Sequence, residues 1–136
     1  MPRKPANKIT AEQRADWRNL PLEHWNTRTI HAMIIDLNAE KFGVDKYVPL
    51  RGYGFEQGVI KRALTEYGAE DLRETIERAF AEYRPTAKYP QLTAGFLIAY
   101  MLPRIMPQVL AEQKRRAVAE EAVAGAMSAD ELAAWL

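Results

Sequence analysis

The sequence has 136 residues, the usual size of one domain, and 48% of them are hydrophobic, which is too many for a disordered chain. It contains no cysteine, which excludes disulfide bonds, thiolate nucleophiles and cysteine-ligated zinc. The net charge of +1 gives the whole molecule no strong field for a polyanion. The N-terminus lacks the apolar region of a secretory signal, and the longest apolar stretch, Phe96 to Leu102, is too short to span a membrane. We therefore expect a cytoplasmic protein without membrane contact.

Apolar residues recur with helical spacing along the whole chain, which predicts an all-α fold, a compact bundle of about five to seven helices. Three parts are expected. Residues 1–9 form a basic N-terminal arm, residues 10–124 a single helical domain, and residues 125–136 a short amphipathic C-terminal helix. This last helix is expected to start at Ser128, which can form a capping box with Glu131.

The first half of the domain contains two predicted helices with recognisable ends. Thr10 is suited to cap a helix over residues 11–20. Asn26 or Thr27 begins a longer helix, and Gly43 is placed to end it in a left-handed conformation. The second helix has a one-sided apolar stripe, which is expected to face the core. This stripe consists of Ile30, Met33, Ile34 and Leu37.

The middle of the chain is predicted to form an αα-hairpin over residues 55–83, preceded by a short extended segment near residues 45–50. Gly68 supplies the one-residue turn between the two helices. Further on, Pro103 and Pro107 are expected to break or kink an apolar helix. The hairpin faces expected to be buried are those of Phe55, Val59, Ala63, Leu64 and Tyr67 in its first helix and of Leu72, Ile76, Ala79, Phe80 and Tyr83 in its second.

No pattern in the chain predicts catalysis or a metal site. His24 and His31 are the only histidines, and their separation by seven residues is not a metal-ligand spacing. Glu70, Glu74 and Glu77 recur at helical spacing but lie off the apolar face, so they are expected to face water. No phosphate-binding loop, nucleophile elbow or dinucleotide fingerprint occurs. We expect no enzymatic activity, no cofactor and no bound metal.

Several basic stretches suggest nucleic acid as a ligand. In Arg51-Gly52-Tyr53-Gly54, glycine lets the backbone approach a phosphate, arginine pairs with it, and tyrosine stacks on a base. An ordinary glycine-rich turn is the alternative for this motif, and solvated helix faces are the alternative for the other clusters. The predicted nucleic-acid-binding residues are Arg3, Lys4, Lys8, Arg51, Tyr53, Lys61, Arg62, Lys114, Arg115 and Arg116.

The acidic C-terminal helix suggests a protein ligand instead. It presents Leu132, Trp135 and Leu136, which are suited to the hydrophobic groove of a partner protein. Folding back onto the domain and forming the seam of a homodimer are equally consistent with this pattern. Two functions therefore remain open: a DNA-binding or replication-accessory protein, and an adaptor or inhibitor that binds a larger protein machine.

Several short motifs between Trp25 and Val109 share a spacing of apolar residues and glycine. They are Phe42-Gly43, Tyr47-Val48-Pro49, Ile60-Lys61-Arg62-Ala63-Leu64-x-x-Tyr67-Gly68, Leu72-x-x-x-Ile76-x-x-Ala79-Phe80 and Thr93-x-Gly95-Phe96. In these motifs the chain resembles small proteins encoded in the replication modules of bacteriophages and prophages. The resemblance implies a DNA-binding or helicase-loading accessory without catalysis, whose partners are DNA and a replicative helicase or similar machine. It transfers no functional residue, because the matching positions are core and turn positions.

Overall fold

The structure, a computed structural model, describes residues 8–135, with the backbone alone described for residues 127–132 and 135. It is all-helical, with 73% helix and no strand in the described part, which confirms the predicted fold class. The helices in chain order are α1 (Ala11–Ala15), α2 (Thr27–Phe42), α3 (Tyr53–Tyr67), α4 (Ala69–Glu82), α5 (Ala94–Phe96) and α6 (Leu102–Trp135). A 3-10 turn, Leu22–His24, precedes α2, and a π turn, Leu97–Met101, joins α5 to α6.

One apolar core holds these helices together. Helix α4 packs along α6, and α2 packs against α3. The predicted stripe of α2 is buried, and so is the predicted face of α4 except for the half-buried Tyr83. The fully buried apolar residues at the centre are Ile30, Met33, Ile34, Ile60, Leu72, Ile76, Leu92, Leu97 and Val109.

Local capping chemistry places the first two helices. The Asn26 side chain accepts a hydrogen bond from the Thr29 amide, and Gly43 ends α2 with a φ of 68°, both as the sequence predicts. Thr10 caps α1 as expected, but α1 ends at Ala15 rather than near residue 20. The reason is Trp17, which leaves the helical path to enter the core and donates its indole N–H to the Asp36 carboxylate at 2.8 Å.

The predicted hairpin is confirmed, with Gly68 alone between α3 and α4. Gly68 has φ 85° and ψ 165°, a backbone conformation that is open essentially only to glycine. The buried face of α3 differs from the prediction: Glu56, Ile60 and Ala63 are buried, whereas Phe55 is exposed. The helix is therefore rotated relative to the apolar pattern, and a carboxylate occupies a core position.

Of the break or kink predicted at Pro103 and Pro107, the break does not occur, because the helix continues through both positions. The π turn widens the helix just before Pro103, where the Leu102 amide donates to the Leu97 carbonyl, and the ring of Pro103 is exposed. Pro107 lies inside α6, which continues to Trp135 with no new start at Ser128. Leu97 to Val109 contribute to the core, but no residue from 110 to 126 is buried.

The helical stretch Ala94–Ala126 is long and apolar enough to cross a membrane by length and composition, but 44% of its most apolar window is buried in the protein.

The extended segment predicted near residues 45–50 is not a strand. Residues 43–52 form an irregular connection between α2 and α3, here called the first loop. Tyr47 on this loop is buried in the core, which fixes the loop through a side chain instead of a β ladder. The chain from 83 to 93, here called the second loop, connects α4 to α5 and lies beside the first.

Candidate functional site

The Glu56 carboxylate on α3 is fully buried and organises the region between the two loops. Its Oε1 atom accepts hydrogen bonds from His31 Nε2 at 3.0 Å and from the Tyr47 hydroxyl at 2.6 Å. Its Oε2 atom accepts from the backbone amides of Leu50 and Gly95, both at 3.0 Å. A carboxylate has about four acceptor positions, and all are used here. Hydrogen bonds to the protein therefore replace the hydrogen bonds to water that the buried carboxylate has lost.

These bonds decide the protonation of the group. Burial raises the pKa of Glu56, but the bonds from His31, Tyr47 and the two backbone amides outweigh it and hold the pKa below its ordinary value. Because the ionised carboxylate offers only acceptors, Nε2 of His31 must carry a proton in this arrangement. Burial and the bond to Glu56 raise the pKa of Tyr47, so its hydroxyl stays protonated and can donate.

Two further polar side chains attach the start of α5 to this centre. The Tyr47 hydroxyl accepts a hydrogen bond from the Ala94 amide at 2.8 Å. Asn38, fully buried on α2, exchanges two bonds with Leu92, donating to its carbonyl and accepting from its amide, both at 2.8 Å. The second loop is thereby tied to α2 and to the first loop by side chains that are far away in sequence.

The two loops are also joined directly at the surface. Gln91 accepts a bond from the Val48 amide at 3.1 Å and donates its own amide to the Val48 carbonyl at 2.6 Å. Leu50 lies on Gly95, where an added Cβ would come within 2.8 Å of the Leu50 side chain. A larger residue at this position would force the Leu50 side chain to shift. The two loops form the walls of a cleft.

This cleft, which we call the cationic groove, has a volume of about 710 Å³, within the range of small-ligand sites. Three aromatic rings line it together with aliphatic residues and prolines, and basic side chains line it as well. No Asp or Glu lines it in the described part of the chain. The aromatic and basic residues of the groove are Tyr83, Tyr89, Phe96, Arg51, Arg84 and Lys88.

A second concavity of about 500 Å³, which we call the Tyr100 depression, adjoins the cationic groove and shares Leu50 and Arg51 with it. Phe55 and Arg62 from α3 line one side, and Tyr100 from the π turn lines the other. As in the groove, none of the described residues lining it is acidic.

Two of the four cations in these concavities contact aromatic rings, and none of the four pairs with a described carboxylate. Lys88 Nζ lies 5.5 Å from the centre of the Tyr89 ring, and the Arg51 guanidinium lies 5.4 Å from that of Phe55. Among the described residues, no carboxylate forms an ion pair with Arg51, Arg62, Arg84 or Lys88. By contrast, Arg18, Arg73, Arg78 and Arg104 are each paired with a glutamate.

The structure brings only some of the sequence-predicted residues together. Arg51 and Arg62 line the same depression, and Lys61 is exposed next to Arg62 without lining either concavity. Tyr53 is half exposed and lies edge-on to His31, with 5.3 Å between ring centres, outside both concavities. Lys8 is exposed before α1, whereas Arg3 and Lys4 lie outside the described residues.

The cluster Lys114, Arg115 and Arg116 lies elsewhere. It follows Tyr100 by roughly 20 Å along the helix axis, given the rise of 1.5 Å per residue. Arg115 and Arg116 line a shallow depression with Glu74, Arg78 and Glu112. Positive charge there is partly balanced, because Glu112 interacts electrostatically with Arg115 and Arg116 in addition to its ion pair with Arg78.

The remaining predictions concern the C-terminal anchor and the metal ligands. The side chains of Leu132, Trp135 and Leu136 lie outside the described part of the structure. In the described part, no group of three or more His, Cys, Asp or Glu side chains could hold a metal ion.

Sequence reasoning missed the residues that shape the concavities. Glu56 gave no signal, because a glutamate on a helix is normally solvated. The run Tyr83-Arg84 and the pair Lys88-Tyr89, which interleave basic and aromatic residues around a proline loop, were a usable signal for a nucleic-acid surface. Phe96 and Tyr100 resemble core residues in sequence, but both are exposed in the structure, Phe96 at the end of α5 and Tyr100 in the π turn.

No protein-family model matches the chain, and the comparisons with curated proteins and with solved structures find no match either. Functional arguments about the cationic groove therefore depend on its own geometry.

The variant Glu56→Gln tests the buried network. Its amide nitrogen would face donors, so we expect the free energy of unfolding to fall by about 3 kcal/mol at neutral pH, the usual cost of breaking a buried charge network. The lowered pKa of Glu56 predicts wild-type stability that is complete above about pH 4.3, the ordinary glutamate value, and is lost as pH falls through the folded-state pKa. Urea denaturation at several pH values measures both effects, and the variant should lose this part of the acid dependence.

The control is Glu40→Gln, which removes an exposed carboxylate paired with Arg18. Its denaturation midpoint should remain close to that of the wild type. Equal effects of the two substitutions would contradict the role given to Glu56.

Proposed function

We propose that this protein binds nucleic acid at the cationic groove and does so without catalysis. The observation that carries the proposal is the set of four basic side chains, Arg51, Arg62, Arg84 and Lys88, that contact or adjoin aromatic rings and form no ion pair with a described carboxylate. Such cations are available to phosphates, and exposed rings are available to bases.

The overall charge makes a local surface necessary. With a net charge of +1, the molecule cannot attract DNA through its summed field. Binding must instead come from a few cations concentrated where no carboxylate opposes them. The groove and the Tyr100 depression meet this condition and also carry aromatic rings. On α6, Arg115 and Arg116 share a depression with Glu74 and Glu112, and the neighbouring concavity lined by Lys114 and Arg115 has no acidic residue but also no aromatic ring.

The biological role that we propose is a DNA-binding replication accessory of phage or mobile-element type, acting in the cytoplasm, with a replicative helicase or similar machine as protein partner. It is supported by the resemblance of residues 25–109 to phage replication-module proteins, since this run contains both loops and most of the groove. The lack of a catalytic motif in the sequence supports an accessory role over an enzymatic one.

The triple variant Arg51→Ala/Arg84→Ala/Lys88→Ala tests the groove. Measured by fluorescence anisotropy with labelled oligonucleotides, wild-type binding should weaken steeply as salt rises, because each phosphate contact releases a counterion. Loss of three contacts should reduce the slope of log K against log salt by about 2 for single strands and abolish most of the affinity at ~50 mM salt.

The matched control is Lys114→Ala/Arg115→Ala/Arg116→Ala, which removes the same charge from the cluster on α6. It should retain most of the affinity. Loss of binding in the control but not in the groove variant would move the contact surface to α6, and no wild-type binding at ~50 mM salt would exclude the function altogether.

A second candidate function is an adaptor or inhibitor that binds a larger protein through the C-terminal part of α6. The observation in its favour is that α6 continues for several turns beyond the core, with no buried residue from 110 to 126. This part of the helix gains little stability from packing on the domain, so a bound partner or a second copy of the chain would stabilise it.

Removal of residues 127–136 tests this candidate. Because no side chain from 110 to 126 is buried, the truncated protein should melt at nearly the same temperature as the full chain. Recovery of a purified replicative helicase in a pull-down should be lost, and light scattering should report any loss of self-association. Unchanged recovery and unchanged mass would eliminate this part of the helix as an anchor.

A further inference from the structure

We propose that the cationic groove and the Tyr100 depression form one continuous track for a single strand of nucleic acid, with unpaired bases stacked on exposed rings. This inference rests on the proposed function and specifies its ligand. Three observations carry it: the shared wall between the concavities, the row of rings that connects them, and the position of the cations along their edges.

The shared wall is formed by Leu50 and Arg51, which line both concavities. Arg51 has a φ of 59°, a left-handed conformation that is uncommon for a residue with a side chain. The first loop is held in this conformation because the Leu50 amide donates to the buried Glu56. A strand that follows the surface from one concavity to the other must therefore pass the Arg51 guanidinium, which is placed to pair with its phosphate.

The rings form a row across the same boundary. Tyr83 and Phe96 lie 6.3 Å apart between ring centres, and Phe96 and Tyr100 lie 5.1 Å apart. Phe96 lines the groove and Tyr100 lines the depression, so the row connects the two. Tyr100 is 70% exposed and Tyr89, at the far end of the groove, is 61% exposed. Rings this exposed in an otherwise well-packed domain offer faces to a ligand.

Basic side chains line both of the concavities that the row connects. Arg84 and Lys88 stand on the second loop at the groove, and Arg62 stands on α3 at the depression, with Arg51 between them. Spacing of basic residues along a line of aromatic residues is the arrangement by which proteins bind a single strand, with phosphates outside and bases against the rings.

A duplex does not fit this surface as well. Paired bases already stack on one another, so their faces are not available to Phe96 or Tyr100. Reading of the major groove requires a protruding helix or ribbon, whereas the surface here is concave. We therefore assign a single strand on the order of four nucleotides, the short end of the range for such sites, with little sequence preference.

The test uses the full-length protein and three fluorescent probes: an oligothymidylate of about ten nucleotides, the RNA oligonucleotide of the same length, and a DNA hairpin duplex. The single strands should bind at least tenfold more tightly than the duplex. Tyr100→Ala should weaken single-strand binding by roughly 5- to 100-fold, the cost of losing one stacked base, and should leave duplex binding unchanged.

The conservative variant Tyr100→Phe, which keeps the ring, should bind like the wild type. The two variants should also have the same melting temperature, since Tyr100 is exposed and the substitution removes no core contact. The ratio between the DNA and RNA probes identifies the natural strand, and either ratio is compatible with the track.

Two results would overturn the track without affecting the proposed function. The first is a duplex affinity equal to the single-strand affinity. The second is an unchanged single-strand affinity in Tyr100→Ala, while the Arg51/Arg84/Lys88 variant still loses salt-dependent binding. No binding of any oligonucleotide, or binding of a proline-rich peptide in their place, would overturn both, because an aromatic groove also suits such a peptide.

Discussion

The structure depends on one buried charge, the Glu56 carboxylate. A carboxylate in the core is stable only when donors replace the water that it has lost, and the four donors here come from α2, the first loop and the start of α5. Two of them are the backbone amides of Leu50 and Gly95. Leu50 lies in an irregular loop, and Gly95 lies in a helix of only one turn. The carboxylate therefore accepts hydrogen bonds from backbone amides, as a neighbouring strand does in a β-sheet, and in this way it fixes irregular backbone.

This constraint connects the core to the surface. Leu50 donates its amide to Glu56 and lines both concavities, and Gly95, whose amide also faces Glu56, packs on Leu50 and lines the Tyr100 depression. Because both loops are fixed from within, the cations and rings that they carry hold their positions without a ligand, and binding costs little ordering of the loops. The surface is thus preorganised for a polyanion in a molecule whose net charge is nearly zero.

Part of this arrangement was predictable from sequence. The stripe of α2, the caps at Asn26 and Gly43, and the hairpin around Gly68 follow from local chemistry and were predicted correctly. The burial of Glu56 was not predictable, since it depends on donors that are six to 39 residues away in sequence. The continuity of α6 was missed because the sequence does not show that a π turn can absorb Pro103. The proximity of the second loop to Arg51 exists only in the folded chain.

The most direct test of this account is amide hydrogen exchange at Leu50 and Gly95, followed by nuclear magnetic resonance at neutral pH. Both amides belong to short or irregular segments, where exchange is normally fast. If the carboxylate holds them, they should exchange as slowly as the amides in the middle of α3, and they should lose this protection together in Glu56→Gln. Fast exchange of both amides in the wild type, beside protected helices, would contradict the central role of Glu56.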